Sequence, residues 1–452
     1  MSNAQVPLGR FDYAPDTPAK LYIGCRTVYT TYPGMKHTFR ALAEPDFRLY
    51  FSGQVLSLVG TWVQQVALSW ITYRVTGSAF MLGLVAFSGQ IPNLLLAPVG
   101  GMLADRMDRR MLLVVTQAVA MGVAAWLGWV SYTETFSDTV LVIASVVLGV
   151  SSAVEMPTRQ AFILQTIHDR RHATNAIALN SLTFNGARLV GPAVAGAVLA
   201  WLGETACFGV NAVSYVAAIY TLLAMHPRAI DPDRQRGSLR EAIQYLKRFA
   251  PAGWLLTTVA AASFCVAPMM TFMPVYAKDI FNGGPHTLGM LMGASGLGAV
   301  LAGLYLANRT TIIGLGAWIG VGCLVIGAAS LVFSYNPFLW VALPVLVVAG
   351  ASTIIVVTSS NMILQTLVPE YLRGRVMALF TMSFLGMLPV SALVAGALAH
   401  LASVQLVFVV AGLGAIAAGI AFRRQLLRLQ EIARPVLVEK GLITPPKVRR
   451  PL

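Results

Sequence analysis

The first residues in this chain that could do chemistry are charged groups inside otherwise apolar stretches. Glu155 lies near one end of the apolar run 139–158, four residues before Arg159, and Arg188 is embedded in the run 174–201 with Asn180 and Asn185 before it on the same run. A charge at mid-bilayer costs about 2.5–3.5 kcal/mol on insertion scales, so such residues are functional candidates by default. Ser145, Ser152, Glu155 and Arg159 are spaced seven, three and four apart and share one helical face. Burial and a neighbouring guanidinium pull the proton affinity of Glu155 in opposite directions. A coupling carboxylate and a plain ion pair with Arg159 therefore both stay open. Arg188 either receives an anionic group or bridges to a neighbouring helix.

Neutral polar residues are patterned as well. Gln54, Ser57, Thr61, Gln65, Ser69 and Thr72 follow one another at spacings of three or four, a polar stripe along one helical face. Facing lipid, those groups would be unpaired, so the stripe faces protein or water. Thr358, Asn361 and Gln365 form a shorter stripe, and Pro268 and Pro274 flank Thr271. Neutral polar groups among aromatic and Met residues suit an amphipathic or uncharged solute. No G-x-x-x-x-G-K-[ST] or H-E-x-x-H stretch occurs, so neither ATP-driven pumping nor zinc hydrolysis has a motif to rest on. Cys25, Cys207, Cys265 and Cys323 stand singly, without disulfide or metal spacing. No cofactor and no metal is expected.

The elements that must position these groups follow from composition. Of 452 residues, 57% are hydrophobic and only 11% charged, with a mean hydropathy of +0.71. A soluble domain carries about 25% charged residues. Apolar spans fall at 49–73, 79–103, 111–132, 139–158, 174–201, 205–225, 253–277, 286–307, 312–334, 338–361, 376–400 and 404–422. They are expected to be helices, since irregular backbone cannot face lipid unsatisfied and a barrel would alternate with period two. The net charge of +14 would point to nucleic acid in a soluble protein; here it sets orientation. With both termini on one side, that side takes all the Lys and Arg except Arg74, Lys278 and the embedded Arg188. The termini are therefore expected in the cytoplasm. The expected divisions are a disordered tail 1–46, a six-helix bundle 47–225, a cytoplasmic linker 226–252, a second six-helix bundle 253–422 and a basic cytoplasmic tail 423–452. Met35 is a second plausible start. Within the linker, Ser238-x-x-Glu241 is a capping box that opens an amphipathic helix.

The chain also repeats itself. Ile163-Leu164-Gln165-Thr166 recurs as Ile363-Leu364-Gln365-Thr366, and Val194-Ala195-Gly196-Ala197 as Val394-Ala395-Gly396-Ala397. An offset near 200 spans six helices, an even number, so the halves are parallel repeats. Between the second and third spans stands Gly101-Met102-Leu103-Ala104-Asp105-Arg106-Met107-Asp108-Arg109-Arg110. It resembles the G-x-x-x-D-R-x-G-R-R signature of the major facilitator superfamily, with Asp108 where a glycine is usual. Asp105, Arg106, Arg109 and Arg110 could form a latch that differs between conformations; positive-inside anchoring is the simpler reading. In the fifth span, Gly191-Pro192 followed by Ala195-Gly196 is similar to the superfamily's exporter motif and would bend the axis. Phe51-x-x-Gln54, Thr61-Trp62, Glu155-Met156-Pro157-Thr158-Arg159-Gln160 and Arg373-Gly374-Arg375-Val376 look like the secretion-effector branch, which includes enterobactin exporters and macrolide efflux pumps.

That resemblance covers about residues 40–422. It implies an all-α membrane protein of 12 transmembrane helices in two six-helix parallel repeats, the major facilitator fold, in the bacterial cytoplasmic (inner) membrane. It further implies a cavity lined by the first, fourth, seventh and tenth helices, which would place Gln54, Ser57, Thr61, Gln65, Ser69, Thr358 and Asn361 on its wall. The expected activity is proton-coupled export of small amphipathic molecules by alternating access, with Glu155 and Arg188 as coupling candidates. The alternative is a nutrient importer or uniporter of the same superfamily. Expected partners are a small-molecule substrate, protons and the lipid bilayer, with no nucleic acid. A monomer is expected, and no enzyme activity.

Overall fold

Apolar runs become helices here because their ends carry the residues that stop them. Four starts are capped by side chains that accept from the third residue on: Ser78 from Met81 N–H at 3.3 Å, Asp108 from Met111 N–H at 2.7 Å, Ser137 from Val140 N–H at 3.4 Å and Ser403 from Leu406 N–H at 3.2 Å. The first long helix ends on Gly77 in the left-handed region, φ 60°. The structure, a computed structural model, describes residues 40–227, 239–309 and 311–440. Side chains at some positions between 170 and 193, Asn185 and Arg188 among them, and that of Leu239 lie outside the description.

The long helices are α1 (Pro45–Thr76), α2 (Ala79–Arg106), α3 (Arg109–Tyr132), α4 (Asp138–Phe162) and α5 (Ala173–Ala224). After the short α6 (Leu239–Arg248) come α7 (Ala250–Thr271), α8 (Pro285–Ala307), α9 (Leu315–Ser334), α10 (Leu339–Leu367), α11 (Glu370–Leu385), α12 (Met387–Leu401) and α13 (Val404–Glu439). Among the described residues, 11 helical segments are long and apolar enough to cross a membrane. The expected spans 174–201 and 205–225 both lie in α5. Its 52 residues would reach about 78 Å if straight, more than twice a hydrocarbon core of about 30 Å. Gly203, at φ 79° and ψ −179°, divides it; that conformation is essentially closed to other residues. The helical run continues through Gly191 and Pro192, and the non-helical residue is Gly203.

Two expected boundaries move. Residues 40–46 are not tail: Arg40–Ala43 form a helical turn, Ala41 N–H donates to Asn175 Oδ1 at 2.9 Å, and Asp46 Oδ1 accepts from His226 N–H at 3.1 Å. Residues 423–439 are helix too, the continuation of α13, with Leu429 and Ala433 buried. In α6 Ala242 is fully buried, in one core cluster with Leu255, Leu372 and Val376. Glu241 pairs with Arg375 at 2.6 Å, so the buried side of this helix meets protein.

Helix α1 runs antiparallel to the second part of α5. A Cβ at Gly53 would lie 2.2 Å from Thr221 Oγ1 and one at Gly60 2.4 Å from Ser214 Oγ, and Asn211 Nδ2 donates to Gln64 Oε1 at 2.7 Å. Two further pairs join the sequence before residue 226 to that after 250. Gly83 of α2 sits against α12, where a Cβ would come within 2.3 Å of Ala392 O and 2.9 Å of Gly396 Cα. Gly196 of α5 sits against α8, where a Cβ would come within 2.4 Å of Gly289 Cα. Only glycine permits such backbone contact. Both pairs lie at the end of the bundle that carries Gly77 and Gly203, the far end; Arg40–Asp46 and Ile163–His172 mark the near end. The far end also presents Trp129, Tyr132, Trp201, Tyr335, Phe338 and Trp340, each largely exposed, as suits an interfacial aromatic belt.

Candidate transport site

Helix α4 turns Glu155 and Arg159 to the same side, one turn apart, and they form an ion pair in which each side chain is 12% exposed. Gln117 of α3 donates from Nε2 to Glu155 Oε1 at 2.8 Å. Ser57 of α1 donates in turn to Gln117 Oε1 at 3.4 Å. Gln117 and Ser57 are buried, so three helices share one polar network inside an apolar bundle. Ser151 Oγ donates to Thr116 O at 2.9 Å and ties α4 to α3 beside it. Truncating one partner of such a pair is destabilising, because the other charge is left behind. The glutamate was legible from its type and place, whereas Gln117 carries no local signal.

The polar stripe of α1 divides between environments. Gln54 and Ser57 are buried, at 4% and 2% exposure, and do not lie open on a cavity wall. Thr61 and Gln65 are exposed; the Thr61 hydroxyl donates to Ser57 O at 2.8 Å and lies 3.4 Å from the Tyr215 hydroxyl. Ser69 is half-buried and donates to Val66 O, and Thr72 is buried and donates to Leu68 O. Gln64, off the stripe, makes the buried bond to Asn211. On α10, Thr358 is half-buried, and Asn361 Oδ1 accepts from Gln365 Nε2 at 2.6 Å. The backbone of Arg188 belongs to α5, and its side chain lies outside the described residues.

The charged turn between α2 and α3 is held mostly by carbonyls. Asp105 is 65% exposed in its side chain and lies 3.6 Å from Arg109. Arg109 donates to Ala104 O at 3.0 Å and, across to the end of α4, to Ala161 O at 3.5 Å. Arg110 donates to Leu223 O at the end of α5, while Arg106 is exposed. Asp108, where the signature has glycine, caps α3. Gly191 makes room for a neighbour: a Cβ there would fall 2.6 Å from Cβ and Cγ of Trp62.

Each end has its own cluster. At the near end, Glu44 accepts from Asp169 N–H at 3.3 Å and lies 3.1 Å from His172 Nδ1 and 3.5 Å from His168 Nδ1. Burial pushes its carboxyl up, but the bonds from His172 and from the Asp169 and His168 backbone outweigh that and hold it below the usual carboxylate range. At the far end, the Tyr73 hydroxyl of α1 donates to Asp279. Asp279 lies in a π-helical turn, Tyr276–Ile280, and Lys278 Nζ stands 5.5 Å from the Tyr73 ring centroid. Arg74 and Glu204 pair through two bonds of 2.6 Å. Among the described residues no group of three His, Cys, Asp or Glu could hold a metal ion.

The sequence profile of the transmembrane secretion effector family matches residues 36–448. The chain is 28% identical over 394 residues to the staphyloferrin A transporter of Staphylococcus aureus, covering 85% of this chain and 98% of that one. It is 24% identical to the multidrug efflux pump Tap of Mycolicibacterium fortuitum, covering 80% and 91%, and 23% identical to macrolide efflux protein A of Streptococcus pyogenes, covering 57% and 66%. Its fold is similar to that of a bacterial homologue of the human lysosomal transporter Spinster in an inward-facing, unoccupied conformation. That match has a TM-score of 0.65 at 15% identity and covers 88% of this chain and 98% of that one. The nucleoside transporter NupG gives a TM-score of 0.67 at 12% identity, over 84% and 99%. The chain is a multi-pass membrane transporter of the major facilitator superfamily and belongs to its transmembrane secretion effector family.

Proposed function

We propose that this transporter is a proton-coupled exporter of small amphipathic molecules, drug-like or siderophore-like, working by alternating access in a bacterial inner membrane. The observation that carries the reading is the Glu155–Arg159 pair, largely withdrawn from the surface and joined through Gln117 to Ser57. A carboxylate in that setting can take up a proton, and the event is felt at once on three helices. Two hundred residues on, the corresponding positions are Ile355 and Ser359, so the titratable pair belongs to one repeat. Relatives named for siderophore transport and for efflux support the substrate class. In this reading 47–225 and 253–422 are the two six-helix bundles, the near end is cytoplasmic, and the protein acts as a monomer. Asp105, Arg106, Arg109 and Arg110 bias the conformational balance, and Arg188 is the second coupling candidate.

Inside-out vesicles acidified within are expected to accumulate one of three probes, staphyloferrin A, a macrolide or an amphipathic dye, without ATP. Accumulation should stop when the gradient is collapsed. Glu155→Gln is expected to lose uphill transport yet keep some downhill exchange, since the amide mimics only the protonated acid. Accumulation that ignores the gradient would reject antiport in favour of a uniporter. Equal loss of both modes in Glu155→Gln would make the glutamate a structural partner of Arg159.

A further inference from the structure

We propose that Arg159 has a second seat, formed by Gln54 and Tyr50 of α1, which it takes when Glu155 accepts a proton; this rests on the reading of Glu155 as the proton carrier. Two buried acceptors point to it. Gln54 is 4% exposed and Tyr50 2% exposed, and neither Gln54 Oε1 nor the Tyr50 hydroxyl has a hydrogen-bond partner. Buried polar atoms are paired in the great majority of cases, and one left alone calls for an explanation.

Register places both acceptors beside the arginine. The Tyr50 ring lies 6.0 Å from that of Phe162, while Ser57 reaches Glu155 through Gln117. Seven residues along α1 thus match seven along α4 in the opposite direction, which sets Gln54 level with positions 158–159. The charge of Arg159 acts on the Tyr50 hydroxyl and on Tyr215. Among the described residues, neutral Gln117 on α3 and, toward the near end, Arg109 against Ala161 O also stand by the pair.

The chemistry then has two arrangements. With Glu155 ionised, the guanidinium is paired to it. When a proton adds to a Glu155 oxygen, an O–H bond forms, the charge on the acid is gone and the guanidinium keeps its own. A buried charge without a counter-charge needs strong acceptors, and a guanidinium offers five donors. Gln54 Oε1 and the Tyr50 oxygen supply lone pairs one turn away, while Gln117 can stay on the remaining Glu155 oxygen. No other covalent bond is made or broken. The proton therefore moves Arg159 between α4 and α1, the helix whose stripe continues to exposed Thr61 and Gln65. Gln54 and Tyr50 are positioning residues in this scheme.

The test uses Gln54→Leu, Tyr50→Phe and the double variant in the inside-out vesicles described above, with the macrolide as probe. The double variant is expected to lose about tenfold in gradient-driven accumulation while keeping at least a third of gradient-free exchange. Its pH profile for uphill transport should move about one unit toward acid. Thermal stability should not fall, because an unpaired buried polar group is replaced by an apolar one of similar size. An unchanged uphill rate and pH profile would overturn the second seat and leave the two atoms satisfied by bound water. If the double variant fails to fold, Tyr50→Phe, which removes one oxygen, decides by the same ratio of uphill transport to exchange. Loss of uphill transport in Glu155→Gln alone, with both α1 variants normal, defeats the second seat and spares the carrier. Normal uphill transport in Glu155→Gln defeats both.

Discussion

Glu44 shows how one side chain can hold a connection in place. Its carboxylate grips the segment between α4 and α5 through Asp169 and His172, and those bonds hold its carboxyl below the usual range despite burial. A depressed folded value means that the carboxylate form contributes stability above the unfolded value, about 4.3, and that this is lost as pH falls through the folded value. Hydrogen exchange of the amides in 167–172 is therefore expected to keep its protection, corrected for intrinsic rates, from pH 8 to 5 and to lose it below about pH 4. In Glu44→Gln the acid-induced step should vanish. A step that survives the substitution would assign the grip to another group. The same contrast applies in the transport site: Glu155 stands out from the sequence as a charge in an apolar run, but that it meets Gln117 rather than only Arg159 depends on how three helices pack.

At the scale of elements, the far-end contacts of α2 with α12 and of α5 with α8 have a clear steric consequence. A Cβ at Gly83 would fall 2.3 Å from Ala392 O, so the two helices must separate to admit it. Gly83→Val is expected to favour conformations open at the far end, seen as a longer spin-label distance between Val75 and Ala402 and at least a tenfold slower transport. An unchanged distance distribution would mean that the contact yields locally. The turn between α2 and α3 predicts the opposite balance of effects. The Asp105–Arg109 pair is exposed on the aspartate side, and such pairs contribute about 0.2–1 kcal/mol. Asp105→Asn should therefore leave yield and folding intact while slowing transport. Transport at the wild-type rate, at equal protein level, would make this turn an anchor only.

For the whole molecule the question is which end faces the cytoplasm. Among the described Lys and Arg, only Arg74 and Lys278 fall at the far end. In a version lacking Cys25, Cys207, Cys265 and Cys323, a single cysteine at Arg236 is expected to react with an impermeant thiol reagent only from the cytoplasm. One at Ser137 should react only from outside. Labelling of both from one side would rule out the twelve-span arrangement. With the expected labelling, Tyr73–Asp279 and Arg74–Glu204 stand at the outer surface, beside the glycine contacts at the same end.

Apolar length, capping residues and charge asymmetry are local properties, and so the helical class, most span boundaries, the expected orientation and the family resemblance could all be read along the chain. Glu155 and the Asp105–Arg110 turn were visible for the same reason, since a charge in or beside an apolar run needs no partner to be noticed. Helix periodicity alone could place Gln54 and Thr61 on one face, yet only packing decided that Gln54 is buried while Thr61 is open. Gly191 reads as part of a bend until Trp62 is seen against it, and Gly203 looks like any other glycine until its φ is known. Residues 40–46 read as tail because their partners, Asn175, Asp169 and His226, lie more than 120 positions away. Partners distant in sequence leave no local pattern, which is why the pairings belonged to the tertiary structure.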